Sequence, residues 1–136
     1  MYKRQGLSGA GYYIPGLNLG KSFSLGFYST VYQSEVYALL QCCVELIGRN
    51  CFGGEIVIFC DSQAVLKSFS SLYIKSALIF RCLSMLNELS ISNNVQLCWI
   101  PGHQGCPGND EADRLARVGS SSPLSGPEPA LELARP

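Results

Sequence analysis

Charge is the first thing this sequence is short of. Only 15% of its 136 residues are charged, against about 25% in an average globular domain. Ten basic residues balance ten acidic ones, so the net charge is zero. A domain that holds nucleic acid tightly by itself usually carries a basic excess. The composition therefore argues against tight nucleic-acid binding by this domain alone. Long hydrophobic runs are missing too. No stretch reaches the roughly 18 uninterrupted apolar residues needed to span a bilayer. Met1 to Leu7 holds two basic residues, but no apolar segment follows, so it does not read as a secretory signal. The expected setting is intracellular, cytoplasm or nucleus, without a membrane. CxxC and mixed Cys/His ligand spacings are also absent. The seven cysteines are odd in number and mostly stand in apolar runs. They read as reduced packing residues rather than as a disulfide frame.

What is present is a globular composition, 47% hydrophobic and 10% aromatic, in a length that suits one domain. Ala10–Ile14 and Ser22–Tyr28 read as two strands joined through a Pro15-Gly16 turn. Gln33–Ile47 reads as a helix, with Val36, Leu39, Leu40, Cys43, Val44 and Ile47 as its buried stripe. Thr30 and Gln33 have the spacing of a capping box at its start. Glu55–Cys60 (EIVIFC) lacks polar alternation, which suits a strand buried on both faces. A helix is expected over Ser62–Phe69 and another from about Ile74 to Leu89. Leu78, Cys82, Leu86 and Leu89 form the second one's stripe. Val95–Ile100 reads as a further strand and Asn109–Val118 as the last helix, with Ala112, Leu115 and Ala116 inward. From Gly119 the composition turns to Ser, Pro and Gly, so residues 119–136 are expected to be a disordered tail. Antiparallel strands followed by alternating strands and helices give an α/β fold, a mixed sheet flanked by helices.

Acidic residues are scarce, which makes them informative. The three aspartates are Asp61, Asp110 and Asp113. Asp61 stands where the EIVIFC strand gives way to a helix. In open α/β sheets, sites form beyond the carboxyl ends of strands, but aspartate also caps helices; position alone leaves both open. Glu35 is expected in the first turn of its helix, where the macrodipole would also favour it. The sole histidine, His103, lies in a Gly-rich loop after a strand and is suited to proton transfer near neutral pH. Asp110, Glu111 and Asp113 follow in the last helix. Glu35, Asp61 and Asp113 thus come from three elements that could converge at one sheet edge. Converging carboxylates repel one another unless a hard divalent cation such as Mg²⁺ is bound among them. Two such ions about 3.5–4 Å apart serve phosphoryl transfer.

These tracts resemble type 1 ribonuclease H, and most closely the domains attached to reverse transcriptases of non-LTR retrotransposons. WIPGHQGCPGNDEADRLA, residues 99–116, is similar to the family's last strand, histidine loop and final helix. YQSEVYALL, IFCDSQAVL and GAGYYIP are similar to its glutamate helix, second-aspartate strand and second strand. The resemblance implies a metal-dependent endonuclease that cleaves the RNA strand of an RNA–DNA hybrid with Mg²⁺ or Mn²⁺ in a two-ion site. By motif, Glu35, Asp61 and Asp113 match metal-holding catalytic carboxylates. His103 matches the loop histidine that assists proton transfer or product departure. Asp110 falls at a variable position. A linked reverse transcriptase is the partner implied in an intact element.

The departure lies at the start. The family opens with a strand ending in an Asp-Gly-Ser type motif, about ten residues before its GAGYY-like tract. Here no acidic residue precedes Glu35. The resemblance implies that the first, central strand is missing from a five-stranded sheet, leaving residues 1–118 a domain incomplete at its N-terminus. The strands of GAGYY and EIVIFC then either close up or expose unpaired edges. Loss of a bridging metal ligand implies activity lower by orders of magnitude. The chain is then a truncated gene model or a decayed element copy. The alternative on the same residues is a catalytically dead remnant that binds nucleic acid or has no autonomous function.

Overall fold

The computed structural model describes residues 2–4, 7–26, 30–69, 76–100 and 107–121. The capping box forms as its spacing predicts. The Gln33 amide donates to Thr30 Oγ1 at 3.1 Å, and the Thr30 amide donates to Gln33 Oε1 at 2.9 Å. Helix α1 therefore starts at Val31 and runs to Gly48. Its buried side is Val36, Leu39, Leu40, Cys43 and Leu46. Val44, expected inside, is 44% exposed; it lies at the stripe's margin, and Leu46 takes the inward place.

Three strands precede α1: β1 (Tyr2–Arg4), β2 (Leu7–Ile14) and β3 (Leu19–Gly26). They form an antiparallel sheet in the order β1-β2-β3. The short β1 was not expected, because three residues are too few to show a period. The turn from β2 to β3 is a 3-10 helix, Pro15–Leu17, closed by Asn18 in the left-handed region at φ 47°. After α1 come β4 (Glu55–Cys60), α2 (Gln63–Phe69), α3 (Ala77–Ser92), β5 (Asn94–Trp99) and α4 (Pro107–Ser121). β4 and β5 pair in parallel, Glu55 opposite Asn94 through Cys60 opposite Trp99.

The main core lies between α1, α3 and the inner side of β4–β5. Val36, Leu40, Cys43, Leu78, Cys82 and Leu89 belong to one cluster, and Ile56, Ile58 and Leu97 pack against it. All four positions of the expected α3 stripe are buried. β4 departs from expectation. Its residues alternate, and Val57 and Phe59 are 46% and 60% exposed. Helices cover one side of the β4–β5 pair only, because α4 packs on the other sheet, against β1, β2 and β3. The absence of polar alternation in EIVIFC therefore did not mean burial on both faces.

Small residues let α4 sit very close to that sheet. A methyl group on Gly9 would land on the backbone of Ala116 and Ser120, and one on Gly119 would land on the backbone of Phe23. The Ser22 hydroxyl adds a 2.7 Å bond to the Leu115 carbonyl. This crossing also corrects the expected boundary at Val118. The helix continues to Ser121, with Ser120 buried, because Gly119 and Ser120 are contact residues of α4. Residues 122–136 lie outside the described residues. No helix among the described residues is long and apolar enough to cross a membrane.

Strand pairing stops between β2 and β4, which belong to two separate sheets. Among the described residues these two strands do not pair with each other. A cavity of about 490 Å³ separates them, lined by residues 11–16 on one side and 55–61 on the other, with α1 residues including Ala38 and Leu39 also lining it.

Candidate functional site

The carboxyl end of β4 is where the acidic residues meet. Asp61 is the first residue after the strand. Its capping role goes to its neighbour: the Val65 amide donates to Ser62 Oγ at 3.3 Å. Asp61 is thus not the cap seen on α2, and its carboxylate faces Glu35 instead. Burial raises the proton affinity of Glu35 above the ordinary glutamate value, and the charge of Asp61 adds to the rise. Glu35 stands on the fifth residue of α1, past the first turn where it was expected. The end of the helix dipole falls off within that turn, so the helix offers Glu35 less compensation than the sequence suggested.

Asp113 lines the same cavity as Glu35 and Asp61, from α4. It is held by Arg117 in an i,i+4 ion pair at 3.0 Å, with its side chain 38% exposed. Glu35, Asp61 and Asp113 therefore share one cavity, in which the charge of Asp61 acts on Glu35. Among the described residues no three His, Cys, Asp or Glu side chains stand close enough together to hold a metal ion. Asp110 is in the first turn of α4, where a carboxylate suits the helix dipole. His103 lies outside the described residues.

Cys60 is a neighbour that sequence reasoning did not select. Burial raises its thiol, with the charges of Glu35 and Asp61 adding to the effect. Its Sγ lies 3.7 Å from the Ser62 carbonyl oxygen, to which it donates. A neutral thiol beside the pair is a small filler, not a ligand. Alternation in β4 was the available signal, since Cys60 shares a face with Ile56 and Ile58.

The placement of Glu35 depends on how α1 is tied to the antiparallel sheet. The Tyr12 hydroxyl donates to Glu45 Oε1 at 3.3 Å. Glu45 also pairs with Arg49 at 2.7 Å and with Lys21 at 3.9 Å. Phe23 stacks on Tyr12 at 6.0 Å and meets Tyr37 edge-on at 5.4 Å. Through Tyr37 and Glu45, these contacts fix α1 against β2 and β3.

Oxygen donors alone, two of them adjacent and one with raised proton affinity, suit a hard divalent cation such as Mg²⁺ or Mn²⁺. Glu35 and Asp61 fit that role as they stand. Asp113 fits only after it leaves Arg117.

A mixed α/β domain with carboxylates gathered at the carboxyl end of a parallel strand is the class this architecture defines. The chain belongs to the RNase H family, whose model matches residues 1–121. It is 32% identical over 88 residues to a ribonuclease H of Methylorubrum extorquens (strain PA1), covering 54% of this chain and 37% of the relative. It is 26% identical over 121 residues to ribonuclease H1 of Mus musculus, covering 80% of this chain and 42% of the relative. The chain thus spans about two fifths of the length of these curated relatives. In fold it is similar to the crystal structure of RNase H1 from the halophilic archaeon Halobacterium salinarum NRC-1. That match has a TM-score of 0.64 at 18% identity and covers 87% of this chain and 90% of that one.

Proposed function

We propose that this chain is a hybrid-directed, metal-dependent ribonuclease domain that cleaves the RNA strand of an RNA–DNA duplex. The observation that carries the reading is the Glu35–Asp61 pair at the end of β4. Family membership supports it. Glu35 and Asp61 would hold the cation, and Asp113 would join them on release from Arg117. A divalent cation bound there supplies an activated water and neutralises charge on the phosphate. The three carboxylates orient that site, and His103 moves a proton near the leaving group. Glu35, Asp61 and Asp113 match three of the four acids that the resemblance implies. The WIPGHQGCPGNDEADRLA tract supports an origin in a retrotransposon element. With zero net charge, most hybrid affinity then comes from a linked reverse transcriptase.

A second reading is favoured by the Asp113–Arg117 pair. An acid neutralised by its own helix suits a noncatalytic remnant that binds hybrid without cutting it. One assay separates the two. The purified chain is incubated with an end-labelled RNA–DNA hybrid in Mg²⁺, Mn²⁺ or chelator. Slow metal-dependent cleavage leaving 3′-hydroxyl ends, and lost in Asp61→Asn, is the expected result. Binding with no cleavage in either metal favours the remnant. Cleavage unaffected by chelator or by Asp61→Asn overturns the site assignment.

A further inference from the structure

Among the described residues β5 is an edge strand, paired with β4 on one side only. Natural edge strands are blunted by charge, proline, bulges or short length. The edges of the antiparallel sheet follow that rule, with Lys3 and Arg4 on β1 and Lys21 on β3. β5, NVQLCW, does not: it has six residues, none charged and none proline. Its register against β4 runs without a break from Asn94 to Trp99. Both ends are pinned. The Asn94 amide donates to the Gly54 carbonyl at 2.9 Å, and the Ile100 amide donates to the Cys60 carbonyl at 3.0 Å. Just ahead, the Asn93 side-chain amide donates to the Cys51 and Leu89 carbonyls at 2.9 and 3.0 Å.

These bonds settle which backbone groups are left over. Asn94 and Ile100 turn their amides toward β4, so Gln96 and Cys98 do the same in a parallel ladder. Val95, Leu97 and Trp99 therefore aim their N–H and C=O groups at the other edge. No backbone group of the described residues meets them there. That edge is complementary to itself. With a second β5 laid antiparallel and Leu97 opposite Leu97, Val95 stands opposite Trp99 and Gln96 opposite Cys98. The Leu97 pair and both Val95–Trp99 pairs are then of the hydrogen-bonded kind, each exchanging two backbone bonds. A β-branched residue opposite an aromatic one is a favoured cross-strand pair. Val95 and Leu97 already pack on the core, while Trp99 on the same side of the strand is 47% exposed; the pairing covers it. A slip of one residue would set core-side groups of one copy against outward groups of the other. Zero net charge leaves no long-range repulsion between copies.

We propose that the free edge of β5 is a self-association surface, on which a second copy of this chain pairs its β5 antiparallel about Leu97. The two β4–β5 pairs become one continuous sheet with a two-fold axis through its middle, a closed contact that stops at the dimer. Because β4 is parallel to β5, the two Asp61 ends of the dimer lie at opposite ends of that sheet. The proposal goes beyond the ribonuclease reading and does not depend on it.

The test is sedimentation equilibrium of the full chain with dithiothreitol and chelator and without hybrid, beside amide hydrogen exchange at the same concentrations. A six-residue edge buries less than the roughly 1,600 Å² of a standard interface, so half-association is expected on the order of 100 μM. The amides of Val95, Leu97 and Trp99 should exchange more slowly as concentration rises. Gln96→Lys with Cys98→Lys sets like charges opposite each other and should weaken association by about tenfold or more. Gln96→Lys with Cys98→Glu sets opposite charges at the same places and should keep it. Ser84→Lys with Asn87→Lys adds the same charge on the exposed side of α3 and should also keep it. A chain that stays monomeric up to about 1 mM overturns the proposal. Association without slowed exchange at those three amides overturns it, as does equal weakening by the Lys/Lys and Lys/Glu variants. Association that survives the Lys/Lys variant but is lost in Phe59→Lys assigns the contact to the outer face of β4, and likewise overturns it. The exchange measurement on the parent chain decides the matter even where a variant does not fold.

Discussion

Replacing Gly9 by alanine puts one methyl group into the crossing of α4 and β2. The new carbon would land on the Ala116 carbonyl oxygen and the Ser120 amide nitrogen. Both are backbone atoms of a helix, so no side chain can swing aside. Either α4 lifts from the sheet or β2 buckles. Overpacking a filled core costs about 1–3 kcal/mol, and a clash against backbone on two sides belongs at the top of that range. About 3 kcal/mol is a large share of a total stability of roughly 5–15 kcal/mol. For a domain of this size it lowers Tm by about 10–15 °C. Gly16→Ala is the matched control, because nothing lies within 4 Å of its added carbon. It should change stability by less than about 1 kcal/mol, in the stabilising direction if any, since alanine restricts the unfolded chain. The assay is thermal unfolding by circular dichroism of both variants beside the parent. Equal Tm values for Gly9→Ala and the parent would refute the close packing of α4 on the sheet, and with it the route by which Asp113 reaches the cavity.

Three further outcomes follow from the same packing. Thr30→Ala should cost about 1 kcal/mol by opening the capping box, measured by urea unfolding; no change would show that the box does not form. Glu35→Gln should raise Tm at neutral pH without divalent metal, because it removes a buried charge facing Asp61, and a loss of stability would contradict that facing pair. Burial pushes the Cys42 thiol up to about 11 and the Cys43 thiol up to about 12. The unfolded thiols ionise near pH 8.5 while the folded ones hold their protons, so stability should fall as pH rises from about 8.5 toward 11. A flat profile of urea midpoints over that range would show those cysteines to be exposed.

Long, periodic elements were legible from sequence, and irregular ones were not. α1 and α3 announced themselves by stripes of period 3.6, and the Thr30 cap by its spacing. Glu55–Cys60 was legible as a strand, but its burial was not, because which faces helices cover is decided by the distant α4. The end of α4 was misplaced for a related reason. Gly119 and Ser120 look like a tail by composition, yet glycine is what a close helix–sheet crossing needs. At the site, Asp61 could not be told from a helix cap until Ser62 was seen to take that part. Glu35 and Asp61 line one cavity, while the hold of Arg117 on Asp113 lay in a side-chain choice that the i,i+4 spacing permits but does not dictate. The cavity between β2 and β4 depends on pairing between segments far apart in sequence, which no local pattern encodes.

The central claim is the proposal that Glu35, Asp61 and Asp113 belong to a four-carboxylate metal site, to which a strand carrying one more aspartate would add the fourth. It is tested most directly by the initial rate of RNA-strand cleavage in Mg²⁺ or Mn²⁺ for two proteins. One is the 136-residue chain, and the other is the same chain extended ahead of Met1 by a β-branched strand carrying an aspartate near its end. A bridging ligand worth a few kcal/mol to the reaction corresponds to about a hundredfold or more in rate. The account predicts at least that gain for the extended protein, and its loss again when Asp61→Asn is added. Equal rates for the two proteins, or a gain that survives Asp61→Asn, would contradict it.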